Sequence, residues 1–111
     1  MAGQKTISSS YKPSPPPPPA LPKYVVTQIL PMTPDARGNY FQHGTLNGQP
    51  TYKHATLNWF LYKRSFGLKW SLGFPTAEEP TKLWISLANG ILGQYNALDG
   101  VTGQAFVSAY V

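Results

Sequence analysis

From residue 24 onward, apolar and polar positions alternate in short runs, and no window carries the 3.6-residue period of an amphipathic helix. Leu68, Trp70 and Leu72 alternate with Lys69 and Ser71, as in a half-buried strand. Tyr24-Val25-Val26-Thr27-Gln28-Ile29-Leu30 is rich in β-branched residues and stops at Pro31, which predicts a first or edge strand. Asn39-Tyr40-Phe41-Gln42, Thr51-Tyr52-Lys53-His54, Leu57 to Arg64, Lys82 to Leu87 and a last run around Ala105 to Tyr110 read the same way. Within Leu57 to Arg64, Trp59, Leu61 and Lys63 share one face while Asn58, Phe60, Tyr62 and Arg64 share the other, and neither face is purely polar.

Turn chemistry separates these runs. Asn47-Gly48 is the strongest hairpin signal, because a type I′ turn needs positive φ at both central residues and Asn-Gly accepts that at least cost. Pro34-Asp35-Ala36-Arg37-Gly38 places Pro and Asp where a type I turn wants them. Gly67, Asn89-Gly90 and Asp99-Gly100 mark further turns, and Pro75 to Pro80 reads as an exposed loop with room for one helical turn. The expected fold is all-β, a meander of about six to eight short strands closed as a small antiparallel sandwich or a barrel. Gly38-Asn39-Tyr40 followed by Leu46-Asn47-Gly48-Gln49 is echoed 55 residues later by Gly93-Gln94-Tyr95 followed by Val101-Thr102-Gly103-Gln104. The echo is either coincidence or the mark of two similar hairpins in a pseudo-symmetric sheet.

Residues 1–23 differ in kind. Four of the first fourteen residues are Ser, and Pro15, Pro16, Pro17, Pro18 and Pro19 follow without a break. Such a run favours polyproline II at ~3.1 Å per residue, a stiff spacer of roughly 15 Å. The domain boundary therefore falls near Lys23, with an extended arm over 1–23 and an aromatic-rich β-domain over 24–111. The run has three readings: a spacer, a ligand for an aromatic groove of the SH3 type, or an arm that docks on a partner. Without flanking Arg the docking arm fits better, with Lys5, Tyr11, Lys12, the five prolines and Leu21 as its contact residues.

The formal charge is +5, with Lys5, Lys12 and Lys23 in the arm and no acidic residue beside them. Such an arm suits an acidic protein surface, while three lysines are too few to predict nucleic-acid binding. The absence of cysteine removes disulfides, thiolate nucleophiles and thiolate zinc sites. No run approaches the length of a membrane span, and Met1 to Lys5 lead into Ser and Pro, so neither a membrane partner nor a secretory signal is expected.

Candidate chemistry is sparse. Asp35 and Asp99 occupy turn signals, and Glu78-Glu79 lie between prolines, so no carboxylate pair is expected to act in catalysis. His43 and His54 flank the Asn-Gly hairpin. A ladder counted outward from Asn47-Gly48 puts His43 opposite Tyr52 and His54 two residues further on, with no third ligand for a metal. There is no nucleophile elbow, P-loop or dinucleotide fingerprint, so no enzyme activity, catalytic residue or cofactor is expected. The aromatic residues are the positive signal. Most belong in the core, and Phe60 and Tyr62, between Asn58 and Arg64, are the best candidates to face outward as a subunit interface or a sugar-stacking surface.

From Gly38 onward the chain resembles a small β-module of phage virion proteins and some bacterial extracellular proteins. The likeness rests on Tyr40, on Gly44-Thr45-Leu46-Asn47-Gly48-Gln49-Pro50-Thr51-Tyr52-Lys53, on Trp84-Ile85-Ser86, and on Gln94-Tyr95 with Thr102-Gly103-Gln104-Ala105-Phe106-Val107-Ser108. Residues 54–83 depart from it, carrying Lys63, Arg64 and Lys69 where the pattern has an acidic Asp-Gly hairpin. The resemblance implies a structural accessory protein of a virion (a capsid decoration, head-fibre or tail component) assembled in the host cytoplasm beside other capsid or tail subunits. A homo-oligomer is expected, because so small a core gains from partner contacts. The alternative is a carbohydrate-binding or adhesive module for a host-surface glycan.

Overall fold

The computed structural model describes residues 20–65, 67–74 and 82–111, and every regular element within them is a strand. These are β1 (Tyr24–Thr33), β2 (Gly38–Leu46), β3 (Gln49–His54), β4 (Phe60–Lys63), β5 (Trp70–Gly73), β6 (Leu83–Ser86), β7 (Gly93–Asp99) and β8 (Thr102–Ala109). Each pairs antiparallel with its neighbour in sequence, and β1 pairs with β8, so the sheet closes into an up-and-down barrel. Of the two expected all-β architectures, the barrel is the one adopted. Arm residues Lys5, Tyr11, Lys12 and Pro15 to Pro19, and the Pro75 to Pro80 loop, lie outside the described residues.

Alternation decides what fills the barrel. Val26, Tyr40, Leu61, Leu72, Trp84, Tyr95, Ala105 and Val107 point inward and are buried, with Trp59, Met32 and Ala36 closing over them. An eight-stranded barrel is just wide enough for side chains to fill it. Trp59 stacks on Phe74 at 4.5 Å and leans on Trp84 at 5.4 Å, while Tyr24 meets Tyr52 edge-on at 4.7 Å. A fully buried ring such as that of Trp84 contributes about 1.5–3 kcal/mol, and the partly covered Phe74, Tyr24 and Tyr52 less. The Trp84 indole N–H finds no acceptor among the described residues.

The two buried tyrosines solve their polar problem identically. The Tyr40 hydroxyl donates to the Ala36 carbonyl at 2.7 Å, and the Tyr95 hydroxyl donates to the Ile91 carbonyl at 2.7 Å. Burial pushes both phenols well above their ordinary pKa. Gly38 and Gly93, two residues before each tyrosine, have φ of 140° and 111°, and they flank one row, Gly38–Val26–Val107–Gly93. Beyond that row Ala55 N–H donates to Asn39 O, and Leu87 N–H to Gln94 O, both at 3.0 Å. An approximate two-fold axis through the Val26–Val107 and Leu61–Leu72 pairs thus relates β1 to β8, β2 to β7, β3 to β6 and β4 to β5. The sequence echo is half structural: Gly-x-Tyr recurs as equivalent strand starts, but the counterpart of the β2–β3 hairpin is β7 with β6, not β7 with β8. Gly48 sits in a turn, whereas Gly103 sits inside β8.

Three expectations need correction. β1 runs through Pro31 to Thr33, because the ladder skips between Leu30 and Thr33 and the missing proline N–H forfeits no bond there. Gly103 makes that skip fit, since a Cβ on it would lie 2.1 Å from the Pro31 carbonyl oxygen. β2 extends to Leu46 instead of ending at Gln42, carried past a bulge at His43 and Gly44. β4 and β5 begin later than the alternation suggests: Leu57 and Leu68 are exposed, and the loop after β3 is closed by His54 N–H donating to Trp59 O at 2.8 Å.

Tyr40→Phe and Tyr95→Phe should each cost about 1–2 kcal/mol, because each strands a carbonyl that the lost hydroxyl satisfied. Urea unfolding should show closely similar losses at these equivalent positions. Gly103→Ala should cost more than either, since it meets Pro31 and must also hold a φ of 92°.

Candidate binding surface

Side chains occupy the barrel interior, and a cleft among the described residues lies on the outer face. Register sets Phe41, Lys53 and Phe60 side by side across β2, β3 and β4, all half-buried. The Lys53 ammonium lies 6.0 Å from the centre of the Phe60 ring and donates to Leu57 O at 3.2 Å. His43 approaches the same ring at 5.9 Å. A shallow cleft of about 280 Å³ opens beside this row, lined by Phe41, Gln42, His43, Lys53, His54 and Ala55.

The bulge shapes this cleft. His43 and Gly44 together stand against Thr51 alone, so Gln42, not the expected His43, is opposite Tyr52, and Tyr40 is opposite His54. Gly44 takes φ 72°, and the Thr51 hydroxyl donates to His43 O. Beyond it Asn47 and Gly48 take φ 54° and 76°, as a type I′ turn requires.

His54 is a latch. Its Nδ1 accepts from the backbone N–H of Thr56 at 3.0 Å and of Leu57 at 3.1 Å, so the proton belongs on Nε2, which donates to Arg37 O at 2.7 Å. Its ring stands edge-on to Tyr40 at 5.4 Å. Both nitrogens are committed to the backbone and neither is free to ligate a metal. The Arg37 segment it holds is braced by a bidentate pair with Asp35, whose carboxyl is lowered to about 2 by hydrogen bonds from the Arg37 side chain and backbone.

The two aromatics singled out in the sequence share the outer face of β4 but serve different neighbourhoods. Phe60 stands next to the cleft, against Lys53 and His43, without lining it. Tyr62 covers Ser71, donates to Phe74 O at 3.4 Å and has its phenol pushed up by burial, opposed by the Ser71 hydrogen bond and the Arg64 charge. Ser71 faces outward yet is fully buried, with Arg64 donating to its hydroxyl at 3.2 Å. Phe41 and Lys53 were not singled out by the sequence reading, and His43 was weighed there only as a metal ligand; Gly44 directly after His43 was the signal of a bulge that brings the three together.

Of the arm's contact residues only Leu21 is described, and it is 70% exposed. The chain is gripped two residues later: Lys23 N–H donates to Tyr40 O at 2.8 Å, and Lys23 O accepts from Tyr110 N–H at 3.0 Å. The arm thus leaves from a fixed root between β2 and the end of β8. Comparison with protein-family models, curated proteins and solved structures finds no match to this chain.

His54→Ala should lower stability by about 2 kcal/mol or more by removing three hydrogen bonds at once, while Phe60→Ala should cost less because its ring is only half covered. Chemical denaturation of the two variants checks the order; a larger loss at Phe60 would make that ring a core element and not a recognition surface.

Proposed function

We propose that this chain is a non-catalytic structural accessory subunit of a virus particle, held by its N-terminal arm and displaying the barrel. The observation that carries this reading is the arm's root. A segment with Lys5, Lys12 and five consecutive prolines joins the barrel at Lys23, and there the backbone is hydrogen-bonded on both sides. An arm that binds an acidic subunit surface through Lys and extended proline-rich chain then positions the barrel instead of trailing from it. The barrel itself suits display: closure leaves no strand edge in its wall, and its interior is packed with aromatic side chains.

A second reading has one specific observation in its favour. The cleft joins the half-buried Phe41 ring to the Gln42 amide, the His43 imidazole and the Lys53 ammonium, with the Phe60 ring next to it across Lys53, a combination that suits a host-surface glycan. Display of a glycan-binding barrel on a particle is compatible with the first reading, so attachment and ligand binding need separate assays.

Co-expressed with the structural subunits of its particle, the full chain should co-sediment with assembled particles. A chain lacking residues 1–19 should not, while Phe60→Ala and Tyr62→Ala should co-sediment as the parent does. Retention of the armless chain on particles would sink the attachment reading. A glycan-array signal abolished by Phe60→Ala would establish the second.

A further inference from the structure

Charge divides the barrel wall into two halves. β6, β7, β8 and β1 stand side by side and contain one charged side chain among them, Asp99 at the last position of β7. The described cations are elsewhere: Lys53 and Lys63 on β3 and β4, Arg37, Arg64 and Lys69 in connections of the other half, and Lys23 and Lys82 just before β1 and β6.

The outer face of the uncharged half is mixed amide, hydroxyl and apolar. Thr27, Phe106 and Gln94 form one row across β1, β8 and β7, and Leu30, Gln104 and Asn96 form the next outward row. Leu30 is 51% exposed and Phe106 is 42% exposed, with Ile29 and Leu98 also exposed nearby in sequence. Part of the polar character is already satisfied within the wall: Gln94 Nε2 donates to Asn96 Oδ1 at 2.9 Å, and the Thr27 hydroxyl donates to Phe106 O at 3.4 Å. These two bonds offset part of the cost of covering the face, and the remaining amide groups, Gln104 among them, take partners across the contact.

We propose that this wall binds a second copy of the same chain, two barrels meeting across β1 and β8 in an isologous pair. Charge selects that occupant. A chain of formal charge +5 repels its own copies wherever lysines meet, and a contact centred on β1 and β8 lets two copies touch with Lys53, Lys63 and Arg64 on the opposite half, Lys69 held to Leu87 O at the far margin beyond β6, and Lys23 at the end of β1. An acidic partner would gain most on the cationic half and finds no attraction here. A two-fold pair is self-complementary, so Phe106 of each copy can pack against Leu30 and the amide row of the other. Four strands ~4.8 Å apart, averaging about 25 Å in length, give roughly 480 Å² of wall. That is about three-fifths of the ~800 Å² per partner of a standard interface, so the contact is a concentration-dependent one. It rests on the particle-subunit reading for its use, since crowding on a particle surface supplies the concentration.

Sedimentation equilibrium of the full chain from about 10 μM to 1 mM, a range spanning weak pairs, should show the weight-average mass climbing from monomer toward dimer. Phe106→Glu should weaken the association at least tenfold, and Leu30→Lys should do the same independently should the first variant fail to fold by circular dichroism. Lys53→Gln, on the other half, should associate as the parent does or more tightly. A chain that stays monomeric to the top of the range, or folded Phe106→Glu and Leu30→Lys variants that still pair like the parent, overturns the proposal. Pairing and attachment are read separately: a chain that pairs through this wall but never co-sediments with particles defeats the particle reading and leaves the wall standing.

Discussion

Everything else in this structure depends on filling a small closed barrel. Eight strands enclose a space that side chains can just occupy, and Tyr40, Trp84 and Tyr95, all fully buried, do most of the filling. Large rings bring burial energy that aliphatic residues of so short a chain would struggle to match, but they also bring hydroxyls and an indole N–H into an apolar space. The tyrosines settle that cost by reaching back to Ala36 O and Ile91 O, and in doing so they pin the segments that lead into β2 and β7. Trp84 does not settle it among the described residues, and its Nε1 is the one such buried atom there without a partner. Packing around Trp59 and Leu72 outweighs an unmade bond of about 1–3 kcal/mol.

The approximate two-fold axis follows from how antiparallel strands close. Any antiparallel pair has a local dyad, and the barrel extends the one between Val26 and Val107 through matching registers as far as Leu61 and Leu72. Because the axis reverses strand order, it relates β2 to β7 while sending β3 to β6. The repeated Gly-x-Tyr is therefore explained by equivalent surroundings at the two strand starts, and a duplicated hairpin is not required.

Much of the fold was legible because alternation and turn chemistry are local. The strands around Tyr24, Tyr52, Trp84 and Phe106 and the Asn47-Gly48 turn could be read from neighbours in sequence. Barrel against sandwich could not, since both need period 2, and the difference is the pairing of β1 with β8, as in the contact of Thr27 with Phe106 across 79 residues. Register was legible only as far as the first bulge: one extra residue at His43–Gly44 moved every later pair of β2 by one and decided which side chains line the cleft. Phe60 and Tyr62 were placed on the outer face of β4 because alternation sets them between Asn58 and Arg64. His54 was opaque, because its partners, Arg37 O and the N–H groups of Thr56 and Leu57, come together only when two loops meet.

The closing seam of the barrel is also where the proposed arm attachment and the proposed contact between copies converge. β1 is tied on one side to β2 and on the other to β8, and Lys23, at its start, is held by Tyr40 and Tyr110. β1 is therefore held by ladders on both sides and is not an edge strand. β1 also forms part of the wall whose one charged strand residue is Asp99, so the proposed attachment through the arm and the proposed contact between copies involve the same strand, at its end and on its outer face. Lysines on this strand's outer face would have weakened the contact between copies, and an unpaired edge here would have weakened the hold on the arm. The all-uncharged composition of Tyr24 to Thr33 meets the first condition, and pairing on both sides meets the second.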